Sequence, residues 1–65
     1  MLEHEALVAD GAKVVSAAAQ YTGLGRTTLY ALMEAGKLRY VKIGKRRLIP
    51  VLELKRLLAE NLIGK

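Results

Sequence analysis

Sixty-five residues with a formal charge of +5, 52% apolar content and no cysteine, tryptophan or phenylalanine leave few functions open. A chain of this size makes one domain with a thin core, with little left over to build a catalytic or small-molecule pocket, and without cysteine it has no disulfides, thiolate zinc sites or iron–sulfur clusters. No apolar run approaches the roughly 20 residues of a membrane span, and the first ten residues are acidic with no basic n-region, so the expectation is a small, soluble, cytoplasmic, cationic domain without a secretory signal.

Residues 1–12 read as an acidic N-terminal arm, expected to be flexible or loosely docked. The arm carries Glu3, Glu5 and Asp10, has one possible helical turn over residues 2–9 and ends on the turn pair Asp10-Gly11. His4 has no second ligand at metal-binding spacing. The folded domain is expected over residues 13–62. A first helix spans residues 14–21, where Val15, Ala18, Ala19 and Thr22 recur at helical spacing. Three consecutive alanines favour it, and Ser16 or a residue just before it is the expected cap. Gly23 supplies the positive φ that ends this helix. Gly25 stands at the N-cap of a second helix over residues 26–35. The buried stripe there is Leu29, Leu32 and Met33, and the opposite face carries Arg26, Thr27, Tyr30, Ala31 and Glu34. Two short helices joined by a turn containing glycine form a helix-turn-helix pattern.

Beyond Gly36 the period changes. Tyr40, Val41 and Ile43 alternate with Arg39 and Lys42, Leu48-Ile49 follows, and Gly44-Lys45 places glycine at the first central position of a II′ turn. This predicts a two-stranded hairpin with a basic tip, which must lie against the helices to be stable. Pro50 closes the second strand and opens a last helix over residues 51–61. Its apolar face is Leu54, Leu57, Leu58 and Leu62; its polar face is Glu53, Lys55, Arg56 and Glu60. Val51 and Leu52 either pack beneath the hairpin or form a partner surface. The fold class is α+β: helix-turn-helix, hairpin wing, closing helix.

One histidine, no cysteine and singly scattered carboxylates give no nucleophile–base pair, carboxylate dyad or metal cluster, so no catalytic residue, cofactor or metal is expected. The charge distribution says more. Lys37, Arg39, Lys42, Lys45, Arg46 and Arg47 fall within eleven residues that contain no acid. Such a patch selects a polyanion, nucleic acid first and an anionic membrane surface second. The major groove of B-DNA, about 12 Å wide, admits one helix. The second helix offers it Arg26 for guanine or phosphate, the hydroxyls and methyls of Thr27 and Thr28, and the hydroxyl of Tyr30. Thr27 and Thr28 suit N-terminal capping equally well, and Tyr30 suits the core equally well. Lys42, Lys45, Arg46 and Arg47 fall along or at the tip of the ribbon, within reach of the adjacent backbone or minor groove, with Lys37 and Arg39 as further phosphate contacts.

The runs Tyr21-Thr22-Gly23-Leu24-Gly25-Arg26-Thr27-Thr28-Leu29-Tyr30, Glu34-Ala35-Gly36-Lys37-Leu38 and Val41-Lys42-Ile43-Gly44-Lys45-Arg46-Arg47-Leu48-Ile49-Pro50 resemble the excisionase-type helix-turn-helix family. Its members are small winged-helix domains related to the DNA-binding domain of MerR-type regulators. The likeness covers residues 13–60. It implies that Arg26, Thr27, Thr28 and Tyr30 enter the major groove, and that Lys42, Lys45, Arg46 and Arg47 touch the flanking backbone or minor groove. It also implies a bacterial or phage protein of the cytoplasm and nucleoid that binds repeated sites on double-stranded DNA, bends them, self-associates cooperatively there and turns an integrase toward excision. Small transcriptional regulators are the alternative within the family. Gly25 departs from the family's usual Ser, and Val51-Leu52 from its usual charged residues. The competing reading from outside the family is a protein-interaction module that uses Val51-Leu52 and Leu62-Ile63 and binds no DNA.

Overall fold

The computed structural model, which describes residues 3–64, runs α1 (Glu3–Leu7), β1 (Ala12–Val14), α2 (Val15–Thr22), α3 (Arg26–Glu34), β2 (Val41–Ile43), β3 (Arg46–Pro50) and α4 (Val51–Glu60). The three strands form one antiparallel sheet in the order β1-β3-β2, with Val14 and Val41 flanking Leu48 and with Lys42 opposite Arg47. The expected α+β class and the helix-turn-helix followed by a hairpin are both present.

Local chemistry accounts for the corners that set the site. At the end of α2, Gly23 takes φ 78° and its N–H closes on the Ala19 carbonyl at 2.8 Å. The Thr22 hydroxyl donates back to the Ala18 carbonyl at 2.9 Å and accepts from the Leu24 N–H at 3.2 Å. These bonds pin the turn between the two helices. In the hairpin, Gly44 has φ 61° and, among the described residues, only glycines have positive φ. Lys45 therefore has negative φ, the combination a II′ turn requires and a I′ turn forbids. Pro50 ends β3 and caps α4.

Val15 and Ala18 of α2, Leu29 and Met33 of α3, Leu38, Ile49 of β3, and Leu54 and Leu57 of α4 are buried together, with Leu24, Leu32 and Tyr40 packed against them. Each large apolar side chain so buried contributes roughly 1.5–3 kcal/mol. Every helix of the helix-turn-helix thus turns one stripe inward against the sheet and α4.

The structure corrects several expectations. Residues 12–14 are not the loose end of an arm or the unpaired start of a domain: they form β1, making the sheet three-stranded. Gly11 at φ 84° turns the chain, and its carbonyl accepts from the Val51 N–H at 3.0 Å, which delivers Ala12–Val14 to the open edge of β3. The helical turn expected over residues 2–9 narrows to α1; Leu2 lies outside the described residues. Ser16 lies inside α2 and is exposed, because β1 runs straight into the helix and the cap falls on Val14, without a side-chain bond. On α4 the buried face is rotated from the one expected. Leu58 is exposed, Leu62 lies past the helix end in solvent, and Glu53, assigned to the polar face, is fully buried. Ile43, one of the apolar residues of the strand pattern, is 65% exposed near the tip of the hairpin. Val51 and Leu52 are half-buried.

Candidate nucleic-acid interface

Because α3 buries Leu29 and Met33, its remaining faces are open, and Arg26, Thr27, Thr28 and Tyr30 are all exposed. At about 100° per residue, Tyr30 and Glu34 fall on one side of that surface and Thr28 on the other. Gly25 caps α3 with extended φ −72°, ψ 157° and offers no side-chain acceptor. The N–H groups of the first turn are thus uncapped beside Arg26, a concentration of positive potential that suits a phosphate.

The hairpin lies beside this helix. Its register makes Lys42 and Arg47 neighbours on one face and Ile43 and Arg46 neighbours on the other, with Lys45 in the turn. Among the described residues, Arg26, Lys37, Lys42, Lys45 and Arg46 have no side-chain hydrogen-bond or ion-pair partner. These are cations held in water with nothing on the protein to neutralise them.

Arg47 and Arg39 differ. The Arg47 guanidinium lies 4.8 Å from the Tyr40 ring centre, 5.2 Å from that of Tyr30 and 3.3 Å from Glu34 Oε2, and its side chain is 24% exposed. It faces α3, not solvent. Arg39, expected as a phosphate contact, is tied to Glu53 although its side chain is 55% exposed. Its main-chain N–H donates to Glu53 Oε1 at 2.9 Å, and its Nε and Nη2 donate to Oε2 at 3.2 and 3.0 Å. Arg56 adds donors to both Glu53 oxygens, another to Glu60 at 2.6 Å and a fourth to the Lys37 carbonyl at 3.0 Å. The Arg56 guanidinium, with Arg39 beside it, holds the Glu53 carboxyl down at about 2 against the upward push of burial. Glu53 in turn raises Arg56. The network fastens the loop before the hairpin to α4.

Tyr40 and Glu53 are not singled out by sequence as parts of this surface, and Glu34 is expected on the open face of the second helix but not as a partner of Arg47. The i, i+3 spacing of Glu53 and Arg56 is visible in the chain, but the partners Arg39 and Arg47 reach across 14 and 13 residues, where periodicity carries no signal. The acidic segment touches the domain through Asp10, 3.5 Å from Lys55 on α4. Among the described residues no three metal-ligating side chains come together, and no helix is long and apolar enough to cross a membrane.

A family model described as a helix-turn-helix domain matches residues 15–62, which contain α2, α3, the hairpin and α4. No curated protein and no solved structure gives a match.

Proposed function

The chain belongs to the helix-turn-helix domain family, a DNA-binding family that includes excisionase-like proteins, and from that premise we propose that it is a winged, excisionase-type architectural protein with no enzymatic activity. The observation that carries the reading is that Arg47 seats the hairpin against Tyr30 and Glu34 of the exposed α3, so that the unpaired cations Lys42, Lys45 and Arg46 are carried on a ribbon adjoining that helix. In this reading α3 lies in the major groove, where Arg26 reads guanine or clamps a phosphate and Thr27, Thr28 and Tyr30 meet base edges. Lys42, Lys45 and Arg46 follow the flanking backbone or minor groove, and the exposed Lys37 reaches phosphate. One module of this size buries only about 600–1,000 Å² on DNA, so a single copy binds weakly. Repeated sites occupied by neighbouring copies, bending of the DNA between them and an integrase partner supply the rest.

Selection from a random duplex library, followed by binding and end-to-end energy-transfer measurements, tests the proposal. The expected result is an enriched motif, a salt-sensitive complex and a shortened end-to-end distance. Arg26→Ala relaxes the motif, at a cost of about 1–3 kcal/mol on the preferred sequence, whereas Arg46→Ala weakens all sequences alike. Motif binding without bending would support a small transcriptional regulator instead. The absence of any salt-sensitive complex would overturn DNA binding itself.

A further inference from the structure

Arg47 is the hairpin cation that the fold itself uses. Among the described residues, its pair with Glu34 is the only hydrogen bond or ion pair joining the hairpin to α3. The guanidinium also lies within stacking distance of Tyr30, on α3, and Tyr40, at the start of the hairpin. A planar guanidinium offers two faces and five N–H donors along its edges. Here two aromatic rings and a carboxylate already engage it. The positive charge is offset by Glu34 through Nη1, and the side chain is only 24% exposed, so a phosphate reaching its remaining N–H groups would meet a partly covered cation already shared with a carboxylate. Lys42, its neighbour across the ladder, is exposed and unpaired. The two cations on one face of the wing therefore have different work.

We infer that Arg47 is a positioning residue: it fixes the angle between wing and recognition helix by clamping Tyr30 to Tyr40, and so governs sequence preference without touching DNA. The inference rests on the DNA-binding reading above and deepens it. A wing held at one angle lets base contacts by α3 and phosphate contacts by Lys42, Lys45 and Arg46 form together. A wing free to swing keeps the phosphate contacts on any sequence and loses the register of the helix. The clamp also fixes Tyr30, whose remaining exposed surface then meets the groove in one orientation.

The test uses the full chain and two fluorescent duplexes of equal length, one selected from the random library and one of mixed sequence, titrated over a range of salt. Circular dichroism confirms folding of each variant. For Arg47→Ala we expect a loss of about tenfold or more on the selected duplex and little change on the mixed one. The slope of log K against log salt should stay unchanged. Tyr40→Leu, which keeps every charge, behaves in the same way, Tyr40→Phe keeps the ring and binds like the wild type, and Arg47→Lys does not restore preference because an ammonium does not stack as a plane. Arg46→Ala is the reference for a phosphate contact, with a slope about 0.9 shallower on both duplexes. If Arg47→Ala follows Arg46→Ala and Arg47→Lys rescues it, Arg47 is a phosphate contact and the inference falls while DNA binding stands. Unchanged binding for both Arg47→Ala and Tyr40→Leu also overturns it. A wild-type chain that forms no salt-sensitive complex with either duplex removes the DNA-binding reading and this inference together.

Discussion

A carboxylate with no exposed surface survives in so thin a core because five N–H donors from Arg39 and Arg56 converge on its two oxygens. The arrangement makes Glu53 a pH-dependent brace. Its folded pKa of about 2 lies below the ordinary 4.5, so the stability it contributes is complete above about pH 4.5 and is lost as the pH falls toward 2. A depression of this size corresponds to about 3 kcal/mol, a large share of the stability of a domain this small. Thermal melts by circular dichroism should show Tm falling steeply between pH 4.5 and 2.5. In Glu53→Gln the fall over that interval is much shallower, and Tm at pH 7 is already lower, by about 2 kcal/mol of stability, because a neutral amide accepts fewer of the five donors. A wild-type Tm that holds level down to pH 2.5 contradicts the assignment. Arg39 belongs to the same account: it serves Glu53 first, and its removal is felt in stability before it is felt in DNA binding.

Helix α3, like α2 and α4, starts without a side-chain cap. Gly25 caps α3 without a side chain, its φ of −72° is open to any residue, and a Cβ placed there meets nothing within 4 Å. Gly25→Ser should therefore add a capping acceptor and remove backbone freedom from the unfolded chain, stabilising the fold by about 1 kcal/mol. For a domain of this length that raises Tm by about 4–8 °C. A melt that is unmoved or lower means the first turn of α3 is already satisfied. The same elements show what a sequence reveals. Helices α2 and α3, the II′ turn at Gly44 and the start of α4 at Pro50 rest on signals within a few residues of one another, and each is readable before folding. Strand β1 is three residues long, too short for a period, and exists only because β3 offers an edge. The buried face of α4 is legible for Leu54 and Leu57 but not for Glu53, whose burial depends on Arg39. In the candidate site the exposed α3 residues follow from helical spacing. The pairing of Arg39 with Glu53 and of Arg47 with Glu34 does not, since basic residues in a row look alike until their partners fold beside them.

Across the whole molecule, these internal pairings change how much charge faces a polyanion. The stretch of six cations from Lys37 to Arg47 is reduced by Glu53, which takes Arg39, and by Glu34, which takes Arg47. Lys37, Lys42, Lys45 and Arg46 remain, joined by Arg26 on α3. With principal extents of 35 × 27 × 20 Å, one molecule is about as long as a single turn of duplex, roughly 34–36 Å. One copy therefore has reach for the phosphates bordering one groove face and little more. Four or five unpaired cations give a slope of log K against log salt of roughly −4 on duplex DNA, whereas all six stretch cations together with Arg26 would give roughly −6. Titrating the wild-type chain against a mixed-sequence duplex between low and physiological salt distinguishes the two. A slope near −6 would mean that Arg39 and Arg47 leave Glu53 and Glu34 for the phosphates on binding. A slope near −4, falling to roughly −2 when Lys42 and Arg46 are both replaced by Ala, fits unpaired cations that alone meet the backbone while Arg39 and Arg47 stay with Glu53 and Glu34.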